Sequence, residues 1–266
     1  MLHTLYCPKI KGPPFGGITN MIKAIDLHCH FNHGAPHDAG ESTLHRRGFD
    51  FLREEHAAAN IIKTVHSSYD AVLSNERICE ENEYLLSLTE GYPDIYGWVV
   101  VDPRLDDTLI QAERLLRKPK MLGIKVHRTH GYDIADMGDK LFSFANGLGT
   151  TVLMHPDRIS LMPTFADRYP NMRLIIAHLA TEEHIEAVRA ARYGNVYTDT
   201  SGGDSTKNNI LEYAVERIGS EKIYFGTDTY AAGFQYGRVA HSRLSDRDKE
   251  NILYRNALRD FPGLSN

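Results

Sequence analysis

Cysteine is scarce in this chain of 266 residues, which contains only three, Cys7, Cys29 and Cys79. Small secreted proteins that depend on disulfides carry many cysteines, usually in even number. The low, odd count therefore argues against a disulfide framework and indicates a reducing compartment. We expect a cytoplasmic protein.

Long apolar runs and an excess of basic charge are missing as well. No apolar stretch approaches the roughly 20 residues of a transmembrane helix, and residues 1–20 hold no apolar segment typical of a secretory signal. The formal net charge is −5, whereas a protein that binds nucleic acid usually carries a basic stripe. We therefore expect a small-molecule substrate, with no membrane and no nucleic acid as partner. The sequence marks no oligomeric state, and a homodimer would be the commonest one.

Short apolar segments alternate with longer amphipathic ones along the chain. The apolar segments are rich in Val, Ile and Leu and are bounded by Gly, Pro, Asn or Asp, which is typical of strands buried on both faces. Strands of this kind, each followed by a helix, predict a parallel sheet covered by helices. The predicted strands span residues 22–31, 61–66, 95–101, 122–127, 150–155, 173–179, 195–200 and 222–228. The predicted helices lie near residues 44–59, 74–90, 107–117, 138–147, 158–169, 181–192, 206–217 and 245–260.

Repeated strand–helix units favour closure into a barrel over an open, doubly wound sheet. We therefore predict an α/β fold, a single (β/α)8 TIM barrel. No shift in composition marks a domain boundary, so residues 22–266 are assigned to one catalytic barrel domain. Residues 1–21, which include Gly-Pro-Pro-Phe-Gly-Gly, are assigned to an N-terminal extension.

Histidine and aspartate interrupt the apolar strands close to their C-terminal ends, where barrel enzymes place their catalytic groups. His28 and His30 are two residues apart on the first strand, so both imidazoles leave the same face. His155, His178 and Asp228 stand at the ends of three later strands. Each alone has a structural explanation, since a buried polar group is stable once it is hydrogen-bonded. Together they predict one divalent metal ion, zinc by preference, with manganese, iron or nickel as alternatives.

Four segments, in this order, resemble the amidohydrolase superfamily, and in particular the branch typified by aminocarboxymuconate semialdehyde decarboxylase. They are Asp26-x-His28-x-His30; His155-Pro156 with residues 165–171 and 175–179; residues 218–228; and residues 250–258. The resemblance covers residues 22–261 and implies a barrel of the metal-dependent hydrolase type. Leu179-Ala180-Thr181 departs from the family pattern, in which glycines often follow the strand-six histidine.

The resemblance implies a role for each matching residue. His28, His30, His155 and Asp228 would be the metal ligands. His178 would polarise the substrate or move a proton, and Asp228 would also act as a general base. Lys125 resembles the strand-four lysine that, once carboxylated, bridges two metals in other branches. A second metal is therefore the alternative to the single ion that is usual in this branch.

These residues fit a metal-dependent hydrolase of an ester, lactone or amide bond in a small molecule that bears a carboxylate. The attacking group would be a metal-bound water, whose pKa a zinc ion lowers to about 7. Non-oxidative decarboxylation on the same site is the alternative, and a barrel without metal or catalysis is a third. Arg104 and Arg128 are candidates to bind the substrate carboxylate, and His127 and Asp199 to line the pocket.

Overall fold

The computed structural model describes residues 21–33, 49–229 and 231–265. Within these ranges eight strands pair in parallel in the order of the sequence, from β1 to β8. A backbone hydrogen bond of 2.9 Å from Leu27 N to Phe225 O then joins the first strand to the segment that follows the last strand. The predicted (β/α)8 TIM barrel is thereby confirmed. The strands are β1 (Ala24–Phe31), β2 (Ile61–Ser68), β3 (Ile95–Val100), β4 (Met121–His127), β5 (Thr151–His155), β6 (Arg173–Ile176), β7 (Val196–Asp199) and β8 (Ile223–Tyr224).

Helices cover the outside of the barrel and join its strands. None of the helices in the described ranges combines the length and the apolarity that a membrane crossing requires. A π-helical turn, Asn251–Arg255, makes the last two helices one continuous segment. The helices are α1 (Phe49–Ala58), α2 (Tyr69–Leu73), α3 (Ile78–Gly91), α4 (Asp106–Leu115), α5 (Ile134–Leu148), α6 (Met162–Arg168), α7 (Glu182–Ala190), α8 (Ile210–Ile218), α9 (Ala232–Ala240), α10 (Asp246–Glu250) and α11 (Asn256–Asp260).

The structure departs from the predicted elements in two strands and two helices. The sixth strand ends at Ile176, three residues earlier than predicted, and the last strand has two residues instead of seven. His178, Asp228 and Thr229, which follow these strands, have positive φ angles, outside the range of a strand. Helices α2 and α9 have no counterpart in the prediction. Helix α2 has only five residues, and the sequence of α9 contains Gly233 and Gly237, which disfavour a helix. Residues 1–20 of the predicted N-terminal extension lie outside the described residues.

The end of the chain closes the barrel at the N-terminal ends of its strands. The ring of Phe261 packs at 5.6 Å against that of Trp98, a fully buried side chain. Asp260 accepts a hydrogen bond of 2.6 Å from the hydroxyl of Tyr224, and Lys63 donates one of 2.6 Å to the carbonyl of Leu264. This end of the barrel is therefore sealed, and the polar side chains of the site gather at the opposite end.

Gly123, in the middle of β4, tests how tightly the barrel is packed. A methyl group there would stand 2.4 Å from Thr151 O and 2.6 Å from the Trp98 ring, so β4 would have to move away from β5. We expect Gly123→Ala to lower the free energy of unfolding by about 1–3 kcal/mol, measured by urea titration. Gly147→Ala is the matched control, because a methyl group there meets nothing within 4 Å in helix α5. It should raise stability by roughly 0.5–1 kcal/mol, and equal effects of the two variants would contradict the packing described.

Candidate metal centre

His28 and His30 project from the end of β1 toward one carboxylate oxygen of Asp228. His28 Nε2 lies 3.6 Å and His30 Nε2 lies 3.1 Å from Asp228 Oδ1. Ligand atoms bound tetrahedrally to one zinc ion at about 2.1 Å stand about 3.4 Å apart. Each of the two distances is therefore close to that between two atoms bound to one cation, and both imidazoles are almost fully buried.

His178, after β6, completes the group around Asp228. One ligand atom from each of His28, His178 and Asp228 can be chosen so that all lie within 4.8 Å of one another. The His178 ring stacks on that of His28 at a centroid distance of 5.0 Å and meets the His155 ring edge-on at 4.8 Å. His178 and Asp228 both have positive φ, 64° and 59°. Such strained backbone is concentrated at functional sites, where surrounding contacts hold it.

The Nδ1 atoms of the β1 histidines are held from behind by polar side chains. Asp199 Oδ2 lies 2.9 Å from His28 Nδ1, and Ser67 Oγ lies 2.9 Å from His30 Nδ1. A carboxylate can only accept, so His28 carries its proton on Nδ1 and presents the lone pair of Nε2 to the cavity. A histidine that binds a metal through Nε2 needs this tautomer.

Asp199 lies behind His28 and away from the cavity surface. Its Oδ1 accepts hydrogen bonds from the backbone of His178 (3.1 Å) and of Ser201 (2.9 Å) and from the Ser201 hydroxyl. Burial alone would raise the pKa of Asp199, but the adjoining His28 ring and its hydrogen bond bring that pKa well below its usual range. Asp199 thus supports two histidines and lines none of the three cavities, and its contact with a substrate stays a prediction.

Lys125 is completely buried, and its Nζ lies 2.6 Å from His28 Nε2. Burial lowers the pKa of this lysine to about 8, while the negative charges of Asp228 and Asp199 oppose that shift. Its amine therefore stands beside the nitrogen that His28 would offer to a metal. Whether Lys125 bridges two ions stays a prediction, which a count of bound metal decides.

A second cluster with metal-binding side chains lies behind β1 and is an internal ion pair. Asp26, Cys29 and His56 offer ligand atoms within 4.8 Å of one another. However, His56 Nδ1 lies 2.6 Å from the Leu52 carbonyl and His56 Nε2 lies 3.1 Å from Asp26 Oδ2. Burial would lower the pKa of His56, but its hydrogen bond to Asp26 and the charge of that carboxylate raise it. Asp26 and His56 therefore pair with each other behind the strand.

The histidines line a small cavity that borders two larger ones. The small cavity, of about 170 Å³, is enclosed by His28, His30, Tyr69, Val72, Leu73, Lys125, His127, His155, His178 and Asp228. Cavities of about 580 Å³ and 440 Å³ have His155 and His178 in their walls as well. A substrate in either larger space would therefore meet these two imidazoles first.

Burial keeps most of these imidazoles neutral. It lowers the pKa of His30 to about 4, opposed by the hydrogen bond that His30 makes to Asp228. It lowers the pKa of His155 to about 2, assisted by the neighbouring His178 ring and by the positive charge of Lys125. Burial would raise the pKa of Asp228, but its hydrogen bond with His30 and the neighbouring His28 ring hold it well below its usual range. Neutral imidazoles around an ionised carboxylate are the donor set that zinc or manganese accepts.

The remaining residues singled out in the sequence lie at different distances from this centre. His127 lines the small cavity, and its Nε2 lies 2.8 Å from His155 Nδ1. Arg128 lines the 580 Å³ cavity beside His155. Arg104 instead binds Asp102 and the His130 carbonyl, each at 2.6 Å, and among the described residues it is not part of the three cavity walls.

Several contacts of the site carry no signal in the sequence. Ser67 and Ser201 hold His30 and His178, but isolated serines at strand ends are too common to single out. Tyr69 reaches the small cavity from α2, and Phe234 reaches the 440 Å³ cavity from α9. Both helices were missed, so their side chains were missed with them.

Comparison with known proteins places this fold and site in a family. A family model described as amidohydrolase matches residues 25–263. The chain belongs to the amidohydrolase family. A search of curated protein sequences finds no significant match.

Solved structures with the same fold are distant in sequence. A dihydroxybenzoic acid decarboxylase from Polaromonas sp. JS666, solved with manganese and the inhibitor 2-nitroresorcinol, is 18% identical, with a TM-score of 0.74 over 91% of this chain and 97% of that one. The 5-carboxyvanillate decarboxylase from Sphingomonas paucimobilis is 12% identical, with a TM-score of 0.72 over 91% and 99%. The 4-oxalomesaconate hydratase from Rhodopseudomonas palustris is 14% identical, with a TM-score of 0.64 over 91% and 96%. At these identities the structural similarity establishes the barrel fold alone, and the chemistry is argued from the site.

Loss of one ligand should empty the proposed metal centre. We expect purified His30→Ala to retain less than about a tenth of the metal bound by the wild type, measured by elemental mass spectrometry, because an incomplete donor set loses most of its affinity. The exposed His241 is the matched control, and His241→Ala should keep the full content. Equal metal in both variants would remove His30 from the site. One ion per chain would exclude the bridging role of Lys125, and two would support it.

The metal-free protein should lose stability as the pH falls from 6.5 to about 4. In this range the imidazoles take up protons in the unfolded chain, whereas His30, with a folded pKa of about 4, resists protonation. The shifted pKa of His30 alone would lower the free energy of unfolding by roughly 3 kcal/mol between pH 6.5 and pH 4. His56 has a raised pKa, so its effect falls above pH 6.5. There it makes the free energy of unfolding decrease as the pH rises. Urea titrations at pH 6.5, 5.5 and 4.5 test this, and a constant free energy of unfolding would contradict the burial described.

Proposed function

We propose that this protein is a metal-dependent, non-oxidative decarboxylase of a small aromatic or enoic carboxylic acid. The observation that carries the proposal is the position of His178, which lies between the group around Asp228 and two cavities large enough for a ring. The decarboxylases among the similar structures support it, since they act on ring carboxylates in the same barrel.

We infer that one divalent ion would be held by His28, His30, His155 and Asp228, which line the small cavity together. Histidine-rich ligands favour zinc, whereas one similar decarboxylase holds manganese, and the two are the metals to test first. When bound, the ion supplies a positive charge that withdraws electron density from a carboxylate or hydroxyl oxygen of the substrate.

His178 is placed to move the proton that decarboxylation requires. The bond between the substrate carbon and its carboxylate breaks, carbon dioxide leaves, and the electron pair stays on the carbon until a proton replaces the lost group. The Ser201 carbonyl, 3.2 Å from His178 Nδ1, accepts the proton of that nitrogen and leaves Nε2 free for exchange. Burial lowers the pKa of His178, so its imidazole is neutral at pH 7. It therefore picks up a proton from solvent only transiently and delivers it to the carbon.

Arg128 is the side chain best placed to bind a second acidic group of the substrate. Of the three basic residues in the 580 Å³ cavity, Arg158 pairs with Asp133 at 2.6 Å and Lys207 donates to the Ala180 carbonyl at 2.9 Å. No hydrogen bond or ion pair joins the Arg128 side chain to another described residue. A free guanidinium binds a carboxylate in bidentate fashion.

Hydrolysis of an ester, lactone or amide remains the second candidate. The same donor set would serve it, and the hydratase among the similar structures is an enzyme of this fold that adds water to its substrate. The complete set of donors argues against a barrel without catalysis. Cytoplasmic location and a homodimer stay predictions from the sequence.

The products separate the two activities. We expect a panel of hydroxybenzoates and unsaturated diacids, incubated with the zinc- or manganese-loaded protein, to release carbon dioxide, and a matched panel of esters and lactones to release no acid. His178→Asn should lower the rate by about 10²–10⁴-fold, the usual contribution of a proton-transfer group, while the metal content stays at the wild-type level. His241→Ala should retain the wild-type rate. Acid release without carbon dioxide would establish the hydrolase instead.

A further inference from the structure

We propose that Thr129 and His127 form a hydrogen-bond relay that sets the tautomer of His155 and so turns the lone pair of His155 Nε2 toward the metal. The relay begins at Val72 in α2 and passes to Thr129, which follows β4. It continues to His127, the last residue of β4, and ends at His155, the last residue of β5. It rests on the metal site of the proposed function. Its members are positioning residues, because only His155 would touch the ion.

The first link uses the only proton of the Thr129 hydroxyl. Thr129 Oγ1 lies 2.5 Å from the carbonyl oxygen of Val72. A carbonyl can only accept, so the hydroxyl must donate here. After that, Thr129 Oγ1 has lone pairs to offer and no proton left.

The second link fixes the proton of His127. Its Nδ1 lies 2.7 Å from Thr129 Oγ1. Since the hydroxyl proton is committed to Val72, Nδ1 must be the donor in this contact. A neutral imidazole holds a single proton, so with that proton on Nδ1 the other nitrogen, Nε2, is an acceptor.

The third link transfers this choice to His155. His155 Nδ1 lies 2.8 Å from His127 Nε2. Because His127 Nε2 accepts, His155 Nδ1 donates, and the lone pair of the neutral His155 ring is left on Nε2. At His28 the same tautomer follows directly from Asp199, because an ionised carboxylate has no proton and can only accept one from Nδ1. At His155 the acceptor is another imidazole, whose own proton has to be directed by Thr129.

One contact favours the opposite arrangement and is the weaker one. The backbone N–H of Thr129 points at His127 Nδ1 over 3.2 Å. If Nδ1 accepted this bond, Nε2 of His127 would donate, and His155 would present an N–H that cannot bind a cation. The 2.7 Å contact between Nδ1 and Thr129 Oγ1 would then bring two lone pairs together. The hydroxyl, not the backbone amide, therefore decides the tautomer.

The test compares Thr129→Val, which keeps the shape and removes the hydroxyl, with Thr129→Ser, which keeps the hydroxyl. The full chain, stripped of metal, is titrated with Zn²⁺ against a chromophoric chelator. We expect Thr129→Val to raise the Kd by about 10–100-fold, as for other residues that orient a metal ligand, and Thr129→Ser to stay within about threefold of the wild type. Equal affinity of the valine variant and the wild type, or equal losses in both variants, would overturn the relay.

Nitrogen-15 NMR of the metal-free protein reads the tautomer directly and does not depend on activity. We expect His155 to carry its proton on Nδ1 in the wild type and in Thr129→Ser, and on Nε2 in Thr129→Val. A proton on Nε2 in the wild type would overturn the relay. If the tautomers are as expected but the wild type binds no Zn²⁺, the relay stands as a structural device and the metal-dependent function fails.

Discussion

The site depends on the carboxylate of Asp26, which is completely buried between the first and last strands of the barrel. Its oxygens accept hydrogen bonds from the backbone of His28 (2.9 Å) and of Thr227 (3.1 Å), from the Thr227 hydroxyl (2.6 Å) and from His56 (3.1 Å). The first two contacts hold the segment that carries the β1 histidines against the segment that carries Asp228. The histidine behind it balances the charge, and a buried carboxylate without such a partner would be costly. Together with the backbone hydrogen bond of 2.6 Å from Asp228 N to His28 O, this side chain, which never reaches the cavity, holds together ligands from opposite ends of the sequence.

The charged groups around the centre are the carboxylates of Asp199 and Asp228 and the amine of Lys125, all largely buried. A buried charge is expensive unless it is paired. The two carboxylates stand within one cluster with Lys125 and with the imidazoles of His28 and His30, so charges of opposite sign lie close together.

Much of the fold and part of the site could be predicted from the sequence, because both follow local rules. Strands such as residues 95–101 are apolar throughout, and the spacing of His28 and His30 by itself places two imidazoles on one face. The left-handed turn at Asp228 could not be predicted, since aspartate occurs in many other conformations. Arg104 was predicted as a substrate contact, and its pairing with Asp102, two residues earlier, is visible only in the structure. Thr129 gives no signal at all, because its role lies in one proton that only the three-dimensional contacts assign.

Asp260, Phe261 and Leu264 cover one end of the barrel, opposite the end that holds the site. Substitutions at the two ends can therefore have different consequences. The contacts of these three residues bind the start of the strands to the end of the chain, far from the cavities that hold His155 and His178. The loops around the cavities can therefore change in sequence without breaking the contacts that stabilise the core. Selection for new substrates and selection for a durable scaffold can act on different residues of one chain.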